Sequence, residues 1–176
     1  MKSSISLLFI FVTFITQSFS QGTIKGKMEG AVLNEVSGLE VVQSIYPEAV
    51  AVEKGKEVWF KVVGADKKVL GYCLSSKPYS DTIIGYNNIT PVIVVTDKRK
   101  VIKKVAILSN WETPFFLKKL EKQLYFNTWD GLKIEEAHKR RANVDSYSGA
   151  TLSARALSKN MEIILDKALI NRHNNK

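Results

Sequence analysis

Cysteine and histidine are scarce in this chain of 176 residues, which has one Cys and two His. A single cysteine, Cys73, excludes an internal disulfide, so packing must stabilise the fold. Cys73 lies in the apolar run VLGYCLSS, which predicts a buried, inert thiol rather than a reactive one. Cys73, His138 and His173 are too few for a standard structural zinc site. We therefore expect no metal centre.

Long apolar runs are absent after the N-terminus. Residues 1–20 combine one Lys, an apolar run from Ile5 to Ile15 and a small, polar end, which is the pattern of a secretory signal peptide. The run is shorter than the roughly 20 apolar residues of a membrane span, although an uncleaved anchor is the alternative. We expect cleavage near Ser20 and an exported protein, periplasmic or extracellular and possibly peripheral to the membrane. Residues 21–176 would form a single domain.

Acidic residues are fewer than basic ones, and the formal net charge is +9. Loss of residues 1–20 removes Lys2 alone among the charges and lowers this to +8. The surplus suits an anionic membrane surface, an acidic partner or an anionic ligand. The simpler interpretation is solvated lysines, several of which lie at a predicted hairpin turn over residues 98–104. No nucleic-acid motif is present, and predicted export also argues against nucleic acid as a partner.

The remaining sequence predicts an α+β fold, mainly an antiparallel sheet with packed helices. Apolar residues from Leu39 to Tyr46 predict a short helix that ends before Pro47. Two pairs of strands follow, because their residues are rich in Val and Ile and turn residues lie between them. The pairs are EVWFKVV with KVLGYCLSS, and ITPVIVVTD with VIKKVAILSN.

Two longer helices are predicted after the strands. Thr113 is a candidate cap for the first, in which Pro114 takes the first position. Its apolar face would contain Phe116, Leu117, Leu120 and Leu124, and FNTWDGL would follow as a loop. The second is a C-terminal amphipathic helix packed against the sheet. Its apolar face would contain Leu152, Ala156, Leu157, Met161, Ile164, Leu165 and Ala168.

The stretch DSYSGATLS, residues 145–153, lies where a loop meets this last helix. A helix N-terminus has unpaired N–H groups and binds phosphates readily. Gly149 and Ala150 leave room for a close approach, while Thr151 and Ser153 provide hydroxyls. Ordinary helix capping is the alternative, since Ser and Thr begin many helices. A serine hydrolase is disfavoured, because GxSxG is absent and two histidines support no triad.

DSYSGATLS resembles the flavinylation motif of the FMN-binding domain family, which includes the FMN-carrying subunits of the Rnf complex and the sodium-pumping NADH:quinone oxidoreductase. The motif has Asp145 and Ser148 before Gly149, Ala150 and Thr151. The resemblance implies that Thr151 is joined to the phosphate of FMN by a phosphoester, which an ApbE-type flavin transferase forms from FAD with magnesium.

The resemblance extends from about Val69 to Leu169, since a Gly85–Tyr86 turn, a strand hairpin and Glu-Thr-Pro at residues 112–114 follow in the family's order. Two positions depart from it. Phe115 replaces a common Gly, which puts the local turn and the flavin contacts in doubt, and Ala154 replaces a Thr or Ser.

The resemblance also implies roles for the other site residues. Ser148, Leu152 and Ser153 would lie near the phosphate or ribityl chain, and Glu112 and Thr113 near the flavin edge. The last two are alternatively helix-capping residues. Asp145 would act during attachment, or cap its loop.

Three aromatic side chains have two interpretations each. Trp111 and Trp129 would stack on the flavin or lie in the core, and core positions are commoner for tryptophan. Tyr86 has the same ambiguity, although its place in the matching turn favours the site.

The resulting interpretation is an exported electron-transfer flavoprotein with covalent FMN, a carrier between membrane and extracytoplasmic redox partners. One alternative is a small FMN-dependent reductase that acts directly on a soluble substrate. The other is a basic, exported binding module that keeps the fold but carries no flavin.

Overall fold

The computed structural model describes residues 30–173, with side chains over residues 30–170. The predicted signal peptide, residues 1–20, lies outside this range. Within the range, no helix has the length and apolar character needed to cross a membrane.

Five antiparallel strands form one sheet in chain order. They are β1 (Ala49–Lys54), β2 (Trp59–Gly64), β3 (Val69–Ser75), β4 (Val92–Thr96) and β5 (Ile102–Ile107). Strands β2 to β5 confirm the two predicted pairs, and pairing of β3 with β4 joins them into a meander. The edge strand β1 was not among the predicted strands. Four of the six residues of its sequence AVAVEK are alanine or charged residues, which favour strands weakly.

Four helices accompany the sheet, and an α+β class is confirmed. They are α1 (Gly38–Gln43), α2 (Pro114–Lys122), α3 (Ile134–Lys139) and α4 (Thr151–His173), with short 3-10 helices at Lys77–Tyr79, Tyr125–Trp129 and Val144–Ser146. The prediction of a loop over FNTWDGL was wrong for its first part, which belongs to the second of these 3-10 helices. Helix α3 was also missing from the predicted elements.

The sheet is covered on both faces, which explains why every residue of β4 is buried. Leu74, Val92 and Val94 pack against the layer of α2, α3 and α4. Cys73 and Ile93 point the other way and join the residues of α1 in a second core. Burial raises the pKa of the Cys73 thiol to about 12. The prediction of a buried, inert thiol is therefore confirmed.

The predicted apolar faces of α2 and α4 are confirmed except at one residue each. Leu152 is 55% exposed, because it lies in the first turn of α4. Leu124 is 66% exposed. It follows the end of α2 and has a left-handed backbone conformation, with φ of 57°. Its side chain therefore does not lie on the apolar face of the helix, contrary to what its spacing predicted.

Candidate functional site

Three segments meet at the N-terminus of α4. They are the turn over residues 85–90, the segment 110–114 after β5 and the motif residues 148–153. Beside this junction, a cavity of about 240 Å³ opens between the turn, Phe116 of α2 and the motif residues. Its lining includes six of the predicted site residues and one further aromatic ring: Tyr86, Gly149, Ala150, Thr151, Leu152 and Ser153, together with Phe116.

The start of α4 has the geometry of an anion site. Gly149 has a φ of 76°, a left-handed conformation that favours glycine. The N–H of Ala150 donates to the carbonyl of Tyr147 at 3.0 Å, and that of Ala154 donates to the carbonyl of Ala150 at 2.9 Å. The N–H groups of residues 151–153, before Ala154, have no intrahelical acceptor and carry the partial positive charge of the helix end.

The two motif hydroxyls in the cavity differ in their exposure and in the strength of their hydrogen bonds. Ser153 is 1% exposed, and its Oγ donates to Oε2 of Glu112 at 2.7 Å. Thr151 is partly exposed, and its Oγ1 donates to the carbonyl of Tyr147 at a longer 3.3 Å. Thr151 is therefore the hydroxyl that can be released at small cost.

Glu112 links these segments through hydrogen bonds. It is fully buried; its Oε1 accepts the N–H of Asn87 at 3.1 Å, while Oε2 accepts the hydroxyl of Ser153. A Cβ atom on Gly85 would lie 2.2 Å from Oε1, so this close approach needs glycine. Glu112 does not line the cavity, and its carboxylate bonds both the turn and α4.

Thr113 occupies the N-cap position of α2, as predicted, but its side chain makes no capping bond. Its Oγ1 instead accepts Nδ2 of Asn87 at 2.9 Å. Asn87 is thus a structural residue of the site that sequence reasoning missed. Its position in the GYNNIT turn was the one feature of the sequence that could have indicated this role.

Some of the candidate aromatic residues lie at the cavity, and others lie in the core or on the surface. Tyr86 is 51% exposed and packs its ring edge-on against Phe116, with centroids 4.7 Å apart. Trp129 is buried in the core, which excludes its stacking on a ligand. Trp111 is exposed, so the core position is wrong for it, and it does not line the cavity. Phe115, also exposed, extends the aromatic surface through its ring contact with Phe116.

Besides Glu112 and Thr113, two more predicted site residues lie outside the cavity lining. Ser148 is exposed. Asp145 is exposed too and forms an ion pair with Arg155 at 2.9 Å. A half-buried cation that was not predicted, Lys119 of α2, instead approaches Gly149. Over residues 30–170, no three His, Cys, Asp or Glu side chains come together as a metal site.

The geometry fits a ligand with a phosphate and a flat, largely apolar group. The helix N-terminus and Gly149 suit the phosphate, and the aromatic and aliphatic walls suit the flat group. Comparison with protein families agrees: residues 85–166 match the FMN-binding domain. The matched region starts at the Gly85 turn and includes the whole cavity lining, within the span of 69–169 predicted from the motifs. No curated protein matches the chain.

Proposed function

Since residues 85–166 belong to the FMN-binding domain family, we propose that this flavin-binding chain is an exported electron-transfer protein whose FMN is joined through its phosphate to Thr151. An ApbE-type flavin transferase would attach the group. The electron partners would lie in the membrane or outside the cytoplasm.

One observation supports the proposed covalent link most directly. Thr151 is the first residue of a 23-residue helix, lines the cavity and holds its hydroxyl by a single long hydrogen bond. A phosphate joined to its oxygen would lie at the unpaired N–H groups of the first turn. Ser153 is a poorer acceptor of the flavin group, because its hydroxyl is buried and bonded to Glu112.

The size of the cavity also supports a tether. About 240 Å³ is below the roughly 300–1,000 Å³ of typical ligand pockets. A ligand of flavin size would keep part of its surface exposed, and burial alone would retain it weakly. A covalent bond removes dissociation as a problem outside the cytoplasm, where free FMN cannot be assumed.

The chemistry of attachment is a phosphoryl transfer. The oxygen of Thr151 would bond to the phosphorus nearest riboflavin in FAD, while the pyrophosphate bond breaks and AMP leaves. The hydroxyl proton would pass to the transferase. The hydroxyl must first leave the carbonyl of Tyr147, which costs little because that bond is long.

A carrier role is favoured over a complete reductase. Bound FMN would supply the redox chemistry, and the chain would supply position and electrostatics. The lining residues include the phenol of Tyr86 but no His, Cys, Asp or Glu, so the cavity wall offers few groups for acid–base turnover of a substrate.

Intact mass tests the covalent link. We expect wild type, incubated with an ApbE-type transferase, FAD and magnesium, to gain the mass of FMN less water and to keep it after denaturation. Thr151→Ala should gain nothing, while Thr151→Ser should retain the addition. Ser153→Ala is the matched control and should still be labelled. An unlabelled wild type, beside a known substrate domain labelled in parallel, would refute the covalent link.

Export has a separate test. Expression of the full chain in a bacterium with a secretory pathway should yield an exported form that lacks residues 1–20. N-terminal sequencing should then begin within a few residues of Gln21. A protein that keeps Met1 and remains in the cytoplasm would contradict the export proposal. It would leave the proposal of a covalent flavin unaffected.

A further inference from the structure

Lys119 places an ammonium group at the motif loop. It lies in α2 and is half-buried. A Cβ atom on Gly149 would come within 2.6 Å of its Nζ, so the ammonium occupies the space that any larger residue at position 149 would fill. Thr151 is two residues further along the chain.

Among the described residues, no acidic group compensates this cation. The ammonium of Lys119 forms neither an ion pair nor a hydrogen bond there. A partly desolvated charge without a partner is unfavourable, and proteins normally pair such a charge or use it to bind a ligand. The adjacent Lys118 differs, because it is exposed and borders a separate cleft that contains no motif residue.

We propose that Lys119 is the phosphate-binding cation of this site. The inference rests on the proposed flavin function. The Lys119 ammonium and the N–H groups of the first turn of α4 would bind the same phosphate from two sides. Two elements far apart in sequence thus complete the site. Gly149 takes a left-handed conformation that favours glycine, and the Lys119 ammonium lies beside it, where a Cβ atom would otherwise be.

Charge matching explains why a cation is useful here. The pyrophosphate of FAD and the final phosphodiester at Thr151 are both anionic. An ammonium that is already in place attracts the incoming phosphate and stabilises the attached one. An arginine at this position should preserve the charge, whereas a methionine should keep the packing of the aliphatic stem but lose the charge.

The first test is the rate of flavin attachment at limiting FAD. We expect Lys119→Met to be labelled about tenfold more slowly than wild type, the loss typical of one charge-assisted hydrogen bond at a partly exposed site. Lys119→Arg should be labelled at close to the wild-type rate. Lys118→Met, the matched control, should be unaffected. Thermal unfolding of each variant checks the fold, and Lys119→Gln replaces the methionine variant if that does not fold.

The second test observes the phosphate itself. The phosphorus NMR resonance of flavinylated Lys119→Met should be displaced from that of flavinylated wild type, because the ammonium beside the phosphate is lost. Flavinylated Lys119→Arg, which keeps the charge, and flavinylated Lys118→Met should both stay close to the wild-type resonance. A merely structural lysine would not produce this pattern.

The outcomes separate the two proposals. If wild type is labelled, and Lys119→Met is labelled at the same rate with an unchanged phosphorus resonance, the role of Lys119 is overturned and the tether stays intact. A wild type that takes no flavin would overturn both.

Discussion

At the residue scale, Glu112 matters more for the architecture of the site than for contact with a ligand. Its carboxylate lies where three segments meet and accepts one hydrogen bond from each of two of them. The third segment contains Glu112 itself, whose N–H donates to Oδ1 of Asn110 at 3.0 Å. These bonds fix the start of α4 against the Gly85 turn, and with it the position of Thr151.

Glu112→Ala should therefore lower the free energy of unfolding by about 1–3 kcal/mol, because it removes the acceptor of the buried Ser153 hydroxyl and of the partly buried N–H of Asn87. Chemical denaturation of the flavin-free protein measures the change. Glu121→Ala is the control: Glu121 is exposed on α2, and its loss should cost less than about 0.5 kcal/mol. Equal stability of the two variants would show that the buried carboxylate contributes nothing.

Local sequence was enough to predict the motif residues but not their surroundings. Gly149 and Thr151 were candidates because a glycine and small residues before a helix suit a phosphate, although helix capping was the alternative, and the resemblance to the flavinylation motif implied the role of Thr151. Lys119 and Asn87 reach the site through tertiary packing, which no local spacing encodes. Ser153 was predicted to lie near the phosphate or ribityl chain, but its hydroxyl bonds a carboxylate 41 residues away in sequence.

At the scale of the element, the basic turn between β4 and β5 is held by an acid. Asp97 Oδ1 accepts the N–H groups of Arg99 at 2.9 Å and Val101 at 3.0 Å, while Oδ2 lies 3.4 Å from Nζ of Lys103. Burial raises the pKa of Asp97, but the two backbone bonds and the lysine lower it by more, so its pKa lies below 3.8.

The stability of this turn should depend on pH through the ionisation of Asp97. A folded-state pKa below the unfolded value means that the ionised form stabilises the turn above about pH 4, and that this stability is lost as the pH falls through the folded-state pKa. Asp97→Asn should be about 1 kcal/mol less stable than wild type at pH 7. The difference should shrink as the pH falls from about 5 to about 2.

Thermal unfolding across this pH range provides the measurement. Asp81→Asn is the control, because Asp81 is exposed and its carboxylate forms no hydrogen bond or ion pair with the described residues. A deficit of Asp97→Asn that stays constant down to pH 2 would exclude the ionised carboxylate as its cause.

Sequence patterns predicted whole elements better than their ends. The Val- and Ile-rich strands and the long α4 have strong periodic signals, and they were found. Leu124 was placed on the face of α2 because its spacing fits a helix, but the helix ends at Lys122. Helix α3 has six residues, too few for a clear periodic pattern.

At the scale of the whole molecule, the sheet separates two environments. Helices α2 to α4 cover one face and bring the motif, the aromatic rings and Lys119 together there. Helix α1 covers the other face with a second apolar core. The family match starts after β3, yet β3 pairs with β4 in one continuous sheet. The strands outside the match therefore belong to the same folded unit as the site.

The fold class was predictable because alternation and β-branched residues indicated an antiparallel sheet, and a long amphipathic helix needed a surface to cover. The cavity was not, since it depends on how α2, α4 and the Gly85 turn pack together. Its aromatic wall, Tyr86 against Phe116, joins residues 30 positions apart, and only the tertiary structure shows this contact.

The most direct test of the central claim is the position of the flavin on the chain. Wild type labelled with FAD and an ApbE-type transferase would be digested, and the fluorescent peptide fragmented by mass spectrometry. Fragments that place the FMN phosphate on Thr151 are the predicted result. A flavin attached to Ser148 or Ser153, or no fluorescent peptide from a fully active transferase, would contradict it.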